Sequence, residues 1–99
     1  MELKHKIEMQ LDEMVKINND IERIINHENR YLLDSVIVDY LISQRNKLET
    51  GINITRYSLN STDETILNSI FNSNLIFNLN FLKSHIEFYN NLLDKKFQN

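Results

Sequence analysis

The sequence contains no cysteine, no proline and no alanine, and Gly51 is its single glycine. Without cysteine the chain has neither disulfide bridges nor thiolate chemistry, which argues against the small secreted scaffolds that depend on such crosslinks. A single glycine excludes a glycine-rich phosphate-binding loop. Because proline and glycine interrupt helices most strongly, their scarcity favours long helices.

Clusters of positive charge are also missing. The chain carries 11 basic and 14 acidic side chains, for a formal net charge of −3, and Lys95-Lys96 is its one basic pair. A surface that follows the phosphates of a nucleic acid needs clustered lysine and arginine. We therefore expect that nucleic acid is not the main partner.

Long apolar runs are absent as well. The densest stretch, 31–42, is interrupted by Asp34 and Asp39, and it falls short of the roughly 18 residues that span a bilayer. Residues 1–8 alternate charged side chains and lack the apolar centre of a signal peptide. The sequence therefore predicts a cytoplasmic location and no membrane span.

The composition that remains is typical of one folded domain over 1–99, with 41% hydrophobic and 25% charged residues. Asparagine is unusually frequent, at fifteen residues. Together with the missing alanine, this bias is typical of an AT-rich coding sequence. It suggests a bacterium, a phage or a mobile element as the source.

Apolar spacing predicts a first helix over 2–28 and a second over 33–50. The first helix repeats apolar residues at intervals of four and three, as helices in coiled coils do. The second has an N-cap candidate in Asp34, and we expect Gly51 to end it, since glycine suits the position just beyond a helix. Residues 51–60 would then form a loop.

The break between these helices contains neither glycine nor proline. One continuous helix over 2–49 is therefore the alternative, about 70 Å long at 1.5 Å per residue.

A third helix is predicted over 61–97, with Ser61 and Glu64 forming a capping box at its start. Its apolar arc is about 220° wide, against about 100° for an ordinary surface helix. The arc divides into two stripes. The leucine-rich stripe is expected in the core and contains Leu67, Leu75, Leu82 and Leu93; the phenylalanine-rich stripe contains Phe77, Phe81 and Phe88.

The lengths of the predicted helices leave part of the third one uncovered. The second helix spans about 28 Å and the third about 54 Å, so some of the phenylalanine-rich stripe should stay exposed in a monomer. The predicted fold is an all-α antiparallel bundle of three long helices, which a homodimer could complete. The alternative is a four-helix bundle with the third helix broken near 72–74.

No catalytic, metal or cofactor site is predicted. His5, His27 and His85 have no second histidine at metal-binding spacing on a shared helix face, and Glu2-His5 is a lone Glu-x-x-His pair where a di-iron bundle needs two. The stretch 39–44 resembles part of the short helical-hairpin phosphatases of sporulation phosphorelays, which carry Ser-Gln followed by Leu-Asp. Ser43-Gln44 is present here, but the Leu-Asp is missing, so that function is not carried over.

These patterns predict a non-enzymatic protein-binding module, a small regulator, inhibitor or chaperone that binds a protein complex of a host. The predicted partner-binding residues are Phe77, Phe81, Phe88 and Gln44. Size and helical pattern alone also resemble bacteriocin immunity proteins. Two further alternatives are a structural self-assembling protein and a regulator that inserts a polar side chain such as Gln44 into a partner's active site.

Overall fold

The computed structural model describes residues 2–95, and it confirms the predicted all-α bundle. A short 3-10 helix, Arg30–Leu32, follows the first of the α-helices. The α-helices are α1 Leu3–Ile25, α2 Ser35–Ser58, α3 Glu64–Leu75 and α4 Leu79–Lys95. Within residues 2–95, no helix combines the length and the apolar character that crossing a membrane would require.

Helix α1 is the centre of the bundle, because α2, α3 and α4 all pack against it. Helix α2 runs antiparallel to α1: Arg45 in the middle of α2 bonds Glu22 near the end of α1, and Gly51, further along α2, lies beside Met14, which is earlier in α1. Helices α3 and α4 both run in the same direction as α1, and α4 follows α3 along its length. The result is an elongated body with extents of 54 × 23 × 17 Å.

The reversal between α1 and α2 is built from side-chain hydrogen bonds, since no glycine or proline is available. The amide Nδ2 of Asn29, which is buried, donates to the Leu93 carbonyl at 3.4 Å, and Arg30 donates to the Ile25 carbonyl at 2.9 Å. Asp34 then caps α2 by accepting from the Val36 amide at 3.0 Å. The alternative of one helix over 2–49 is therefore wrong, and the predicted cap at Asp34 is confirmed.

The sequence predicted that α2 ends before Gly51. The helix instead continues through Gly51 to Ser58. The expected loop over 51–60 is therefore wrong for most of its length. Gly51 serves packing instead: a Cβ atom there would lie 2.8 Å from Cζ of Phe77 and 3.0 Å from Cε of Met14. The glycine lets an aromatic ring lie directly on the helix backbone.

The predicted third helix is interrupted at residues 76–78, close to the alternative break near 72–74. Asn78 adopts a positive φ of 47°, a conformation that asparagine tolerates better than most residues. The helix start also differs from the predicted capping box, because Asp63 caps α3 by accepting from the Thr65 amide at 2.9 Å. Residues 96 and 97 of the predicted helix lie outside the described residues.

The core consists mainly of one apolar face from each helix. The leucine-rich stripe packs inward as predicted at Leu67, Leu82 and Leu93, which are all buried. Leu75 is the exception and is exposed, because α3 ends there and the chain turns. From α1 the buried side chains are Ile7, Met14, Ile17, Ile21, Ile24 and Ile25.

Candidate functional site

Phe81 and Phe88 lie on one outward face of α4. They are 52% and 62% exposed and sit seven residues apart, which places them on the same side of the helix two turns from each other. His85 lies between them in sequence, and its ring meets the Phe81 ring edge-on with centroids 4.2 Å apart. Phe88 meets Tyr89 in the same way at 5.6 Å. We call Phe81, His85, Phe88 and Tyr89 the aromatic face of α4.

His85 is held inside this aromatic face. Its ring also stacks beside Tyr89, with a centroid separation of 6.2 Å. Its Nδ1 atom is buried and has no hydrogen-bond partner in the described part of the chain. The imidazole therefore packs as an aromatic ring between Phe81 and Tyr89.

The other predicted partner-binding residues lie elsewhere. Phe77 belongs to the turn after α3, is half-buried, and packs on Gly51 and the core. Gln44 is half-buried on α2, next to Arg45, whose guanidinium donates to Glu22 at 3.2 Å. The structure thus groups Phe81 and Phe88 on one face and places Phe77 at a structural junction.

A polar cluster joins α1, α2 and α3 near the end of α3. The Asn74 amide donates to Thr55 Oγ1 at 3.0 Å and to Gln10 Oε1 at 3.3 Å. Gln10 in turn donates to the Phe71 carbonyl at 3.1 Å, and Thr55 donates to the Gly51 carbonyl at 2.7 Å. Thr55 and Asn74 are buried, so this network fixes the helices relative to one another and offers little surface to a ligand.

A cavity of about 550 Å³ lies between α2 and α3. Sequence reasoning missed it, because residues 51–60 were expected to be a loop. A signal for the longer helix was present, because Leu41, Leu48 and Ile52 repeat at helical spacing and continue past Gly51. The lining residues are Asn46, Lys47, Thr50, Gly51, Ile54, Ile70, Ser73, Asn74, Ile76 and Phe77.

Charged side chains within the described residues form two ion pairs, Asp20 with Arg23 and Glu22 with Arg45, and Nε2 of His27 lies 3.4 Å from Oδ1 of Asp94. No group of three or more histidines and carboxylates within that part of the chain is arranged to hold a metal ion. Comparison with protein-family models, curated proteins and solved structures finds no match for this chain.

Proposed function

We propose that this protein is a non-enzymatic, cytoplasmic protein-binding module that contacts its partner through the aromatic face of α4. The supporting observation is the exposure of Phe81 and Phe88, at 52% and 62%. A phenylalanine buries about 150–250 Å² when it is covered, so these two leave roughly 200 Å² of aromatic surface open to water. Covering that surface would contribute about 5 kcal/mol before the costs of association.

The fold does not need aromatic residues at these positions. The neighbouring face of α4, about 100° away around the helix, provides the contacts with α1 through Leu82, Ile86 and Leu93, which are at most 2% exposed. Phe81 and Phe88 contact His85 and Tyr89 of their own helix. Small polar side chains in their place would keep the bundle intact, so a partner is the better explanation for two large exposed rings.

The surroundings of the two rings suit an interface. Ser84 and Asn91 lie on the same side of α4 and are exposed, and Glu87 is exposed beside Phe88. Apolar anchors flanked by uncharged and charged polar groups are the usual arrangement of a contact surface, with the aromatic residues contributing most of the binding free energy. A helix with such a face fits an apolar groove on a partner.

The composition supports a particular biological setting for this proposal. The asparagine-rich, alanine-free sequence favours an AT-rich bacterium, phage or mobile element as its origin. A short chain of that origin that binds through one helix face would act as a regulator or inhibitor of a host complex.

Site-specific photo-crosslinking in the native host tests the proposal. A photoreactive benzoylphenylalanine replaces Phe88 in one variant and Arg23, an exposed residue of α1, in the control. We expect a discrete adduct from position 88 and none from position 23. The Phe81→Ala change in the same chain should remove the adduct, because it deletes the neighbouring anchor.

Two results would contradict the proposal. Equal adducts from positions 88 and 23 would indicate non-specific contact, and no adduct from position 88 would mean that the aromatic face has no partner. An adduct at twice the mass of the chain would instead favour the self-assembling protein, with α4 as the contact between copies.

A further inference from the structure

The cavity between α2 and α3 lies on a different surface from the aromatic face of α4 and suits a different kind of ligand. We propose that it binds a small apolar molecule with one anionic group, of the class of medium-chain carboxylates, and that Lys47 receives the anion. This inference is independent of the protein-binding role, since a protein could use either surface without the other.

The walls of the cavity are apolar. Ile54 is 50% exposed and Ile76 is 81% exposed, and both belong to the lining together with Ile70. Gly51 and the ring of Phe77 lie at its floor, in close contact with each other. The volume of about 550 Å³ falls within the roughly 300–1,000 Å³ of small-molecule sites, which are likewise mostly apolar with a few polar groups.

Lys47 is the one charged residue in the lining, and no carboxylate accompanies it. It takes no part in the pairs that carboxylates form with basic side chains within the described residues. Lys47 is exposed, so it attracts an anion with the modest strength of a surface charge. The lining is therefore complementary to a ligand with an apolar body and a negative end.

Two polar side chains in the lining, Asn74 and Thr50, already have hydrogen-bond partners within the protein and need none from a ligand. Asn74 also lines the cavity, but its amide already bonds Thr55 and Gln10. The Thr50 hydroxyl donates to the Asn46 carbonyl at 3.2 Å. The anionic end of a ligand would consequently lie toward Lys47, and its chain toward Ile54, which is about 10 Å further along α2.

The volume of the cavity suits a small ligand. Residues of α2, of α3 and of the turn that follows α3 all contribute, because Ile76 and Phe77 belong to that turn. The cavity is open to solvent at Ile54 and Ile76, and its volume of about 550 Å³ accommodates a medium-length alkyl chain.

Titration with sodium decanoate, followed by calorimetry and by amide chemical shifts in NMR, tests this inference. We expect saturable binding of one decanoate, with shifts at the residues that line the cavity. Lys47→Glu should weaken binding about tenfold, because it replaces attraction with repulsion. Ser73→Trp should abolish it by filling the cavity. Both residues are exposed, so both variants should fold.

The matched control is Arg56→Glu, which makes the same charge change on another face of α2. It should keep decanoate affinity within about twofold of the wild type. Phe81→Ala/Phe88→Ala should also leave the affinity unchanged, which separates this inference from the protein-binding role. The inference is overturned if decanoate does not saturate, if Lys47→Glu binds as well as the wild type, or if decyltrimethylammonium binds as tightly as decanoate.

Discussion

Replacing Gly51 by alanine should destabilise this protein, although the same change inside most helices is stabilising. Gly51 lies in the interior of α2, where alanine is favoured over glycine by about 1 kcal/mol. The added methyl group, however, would lie 2.8 Å from Cζ of Phe77 and 3.0 Å from Cε of Met14. One of these side chains has to move.

The net effect follows from two opposing terms. Forcing an extra methyl group into a packed site costs about 1–3 kcal/mol, and the gain in helix propensity offsets about 1 kcal/mol of it. We therefore expect Gly51→Ala to lower the free energy of unfolding by about 1 kcal/mol, since the flexible Met14 can yield but the Phe77 ring is held between helices.

The same Gly51→Ala change can also be made in a chain that already carries Phe77→Ala. Phe77→Ala alone should cost about 2 kcal/mol, less than the 3–5 kcal/mol for a fully buried phenylalanine, because Phe77 is half-buried. With the ring removed, alanine at position 51 meets little resistance. Gly51→Ala should then be stabilising by about 1 kcal/mol, so its effect changes sign between the two backgrounds.

Urea unfolding followed by far-UV circular dichroism measures all four chains of this cycle. A loss of 1 kcal/mol corresponds to a drop of about 4–8 °C in the melting temperature. Asn53→Ala, at an exposed position of α2, is the control and should be stabilising by a few tenths of a kcal/mol. If Gly51→Ala stabilises both backgrounds equally, the Phe77 ring does not lie on Gly51 and the arrangement of the turn after α3 is wrong.

Four further predictions concern single positions or pairs. Asn74→Ala should cost about 2–3 kcal/mol in urea unfolding, because it leaves buried Thr55 without its amide donor. Asn78→Val should cost about 1–2 kcal/mol and Asn78→Gly close to nothing, because only the first is strained at a φ of 47°. Phe81→Ala/Phe88→Ala should shift the melting temperature by only a few degrees, and Phe81→Ala alone, in the chain with benzoylphenylalanine at position 88, should abolish the photo-crosslinked adduct. Gln44→Ala should leave that adduct unchanged. If this variant still binds the partner but no longer inhibits it, the result favours the alternative in which Gln44 enters the partner's active site.

Repeating apolar spacing was sufficient to predict the all-α fold and the buried face of α1. It also separated the two stripes of the third predicted helix: Leu67, Leu82 and Leu93 are buried, while Phe81 and Phe88 are exposed. Such periodicity is reliable because burial of one helix face contributes most of a helix's stability in a small bundle.

Helix ends and breaks were harder to predict, because packing overrides local preference there. Gly51 has the intrinsic properties of a residue beyond a helix end, yet it lies inside α2, whose buried face continues past it at Ile52 and Thr55. Asn78 is one of fifteen asparagines, and nothing in its neighbours distinguishes it as the residue with positive φ. The cavity between α2 and α3 is also lined by Ile76 and Phe77 of the turn before Asn78, so the helical spacing past Gly51 alone would not have predicted it.

Part of the phenylalanine-rich stripe is exposed, as predicted, but the cause of this exposure differs from the expected one. The expected cause was a short second helix of about 28 Å, but α2 has 24 residues, one more than α1. The cause lies in the packing of α4, which is principally against α1. A helix with two adjoining apolar stripes needs two neighbours, and one neighbour covers only the leucine-rich stripe. Lengthening α2 would therefore not bury Phe81 and Phe88, whereas a helix supplied by a partner beside α4 would.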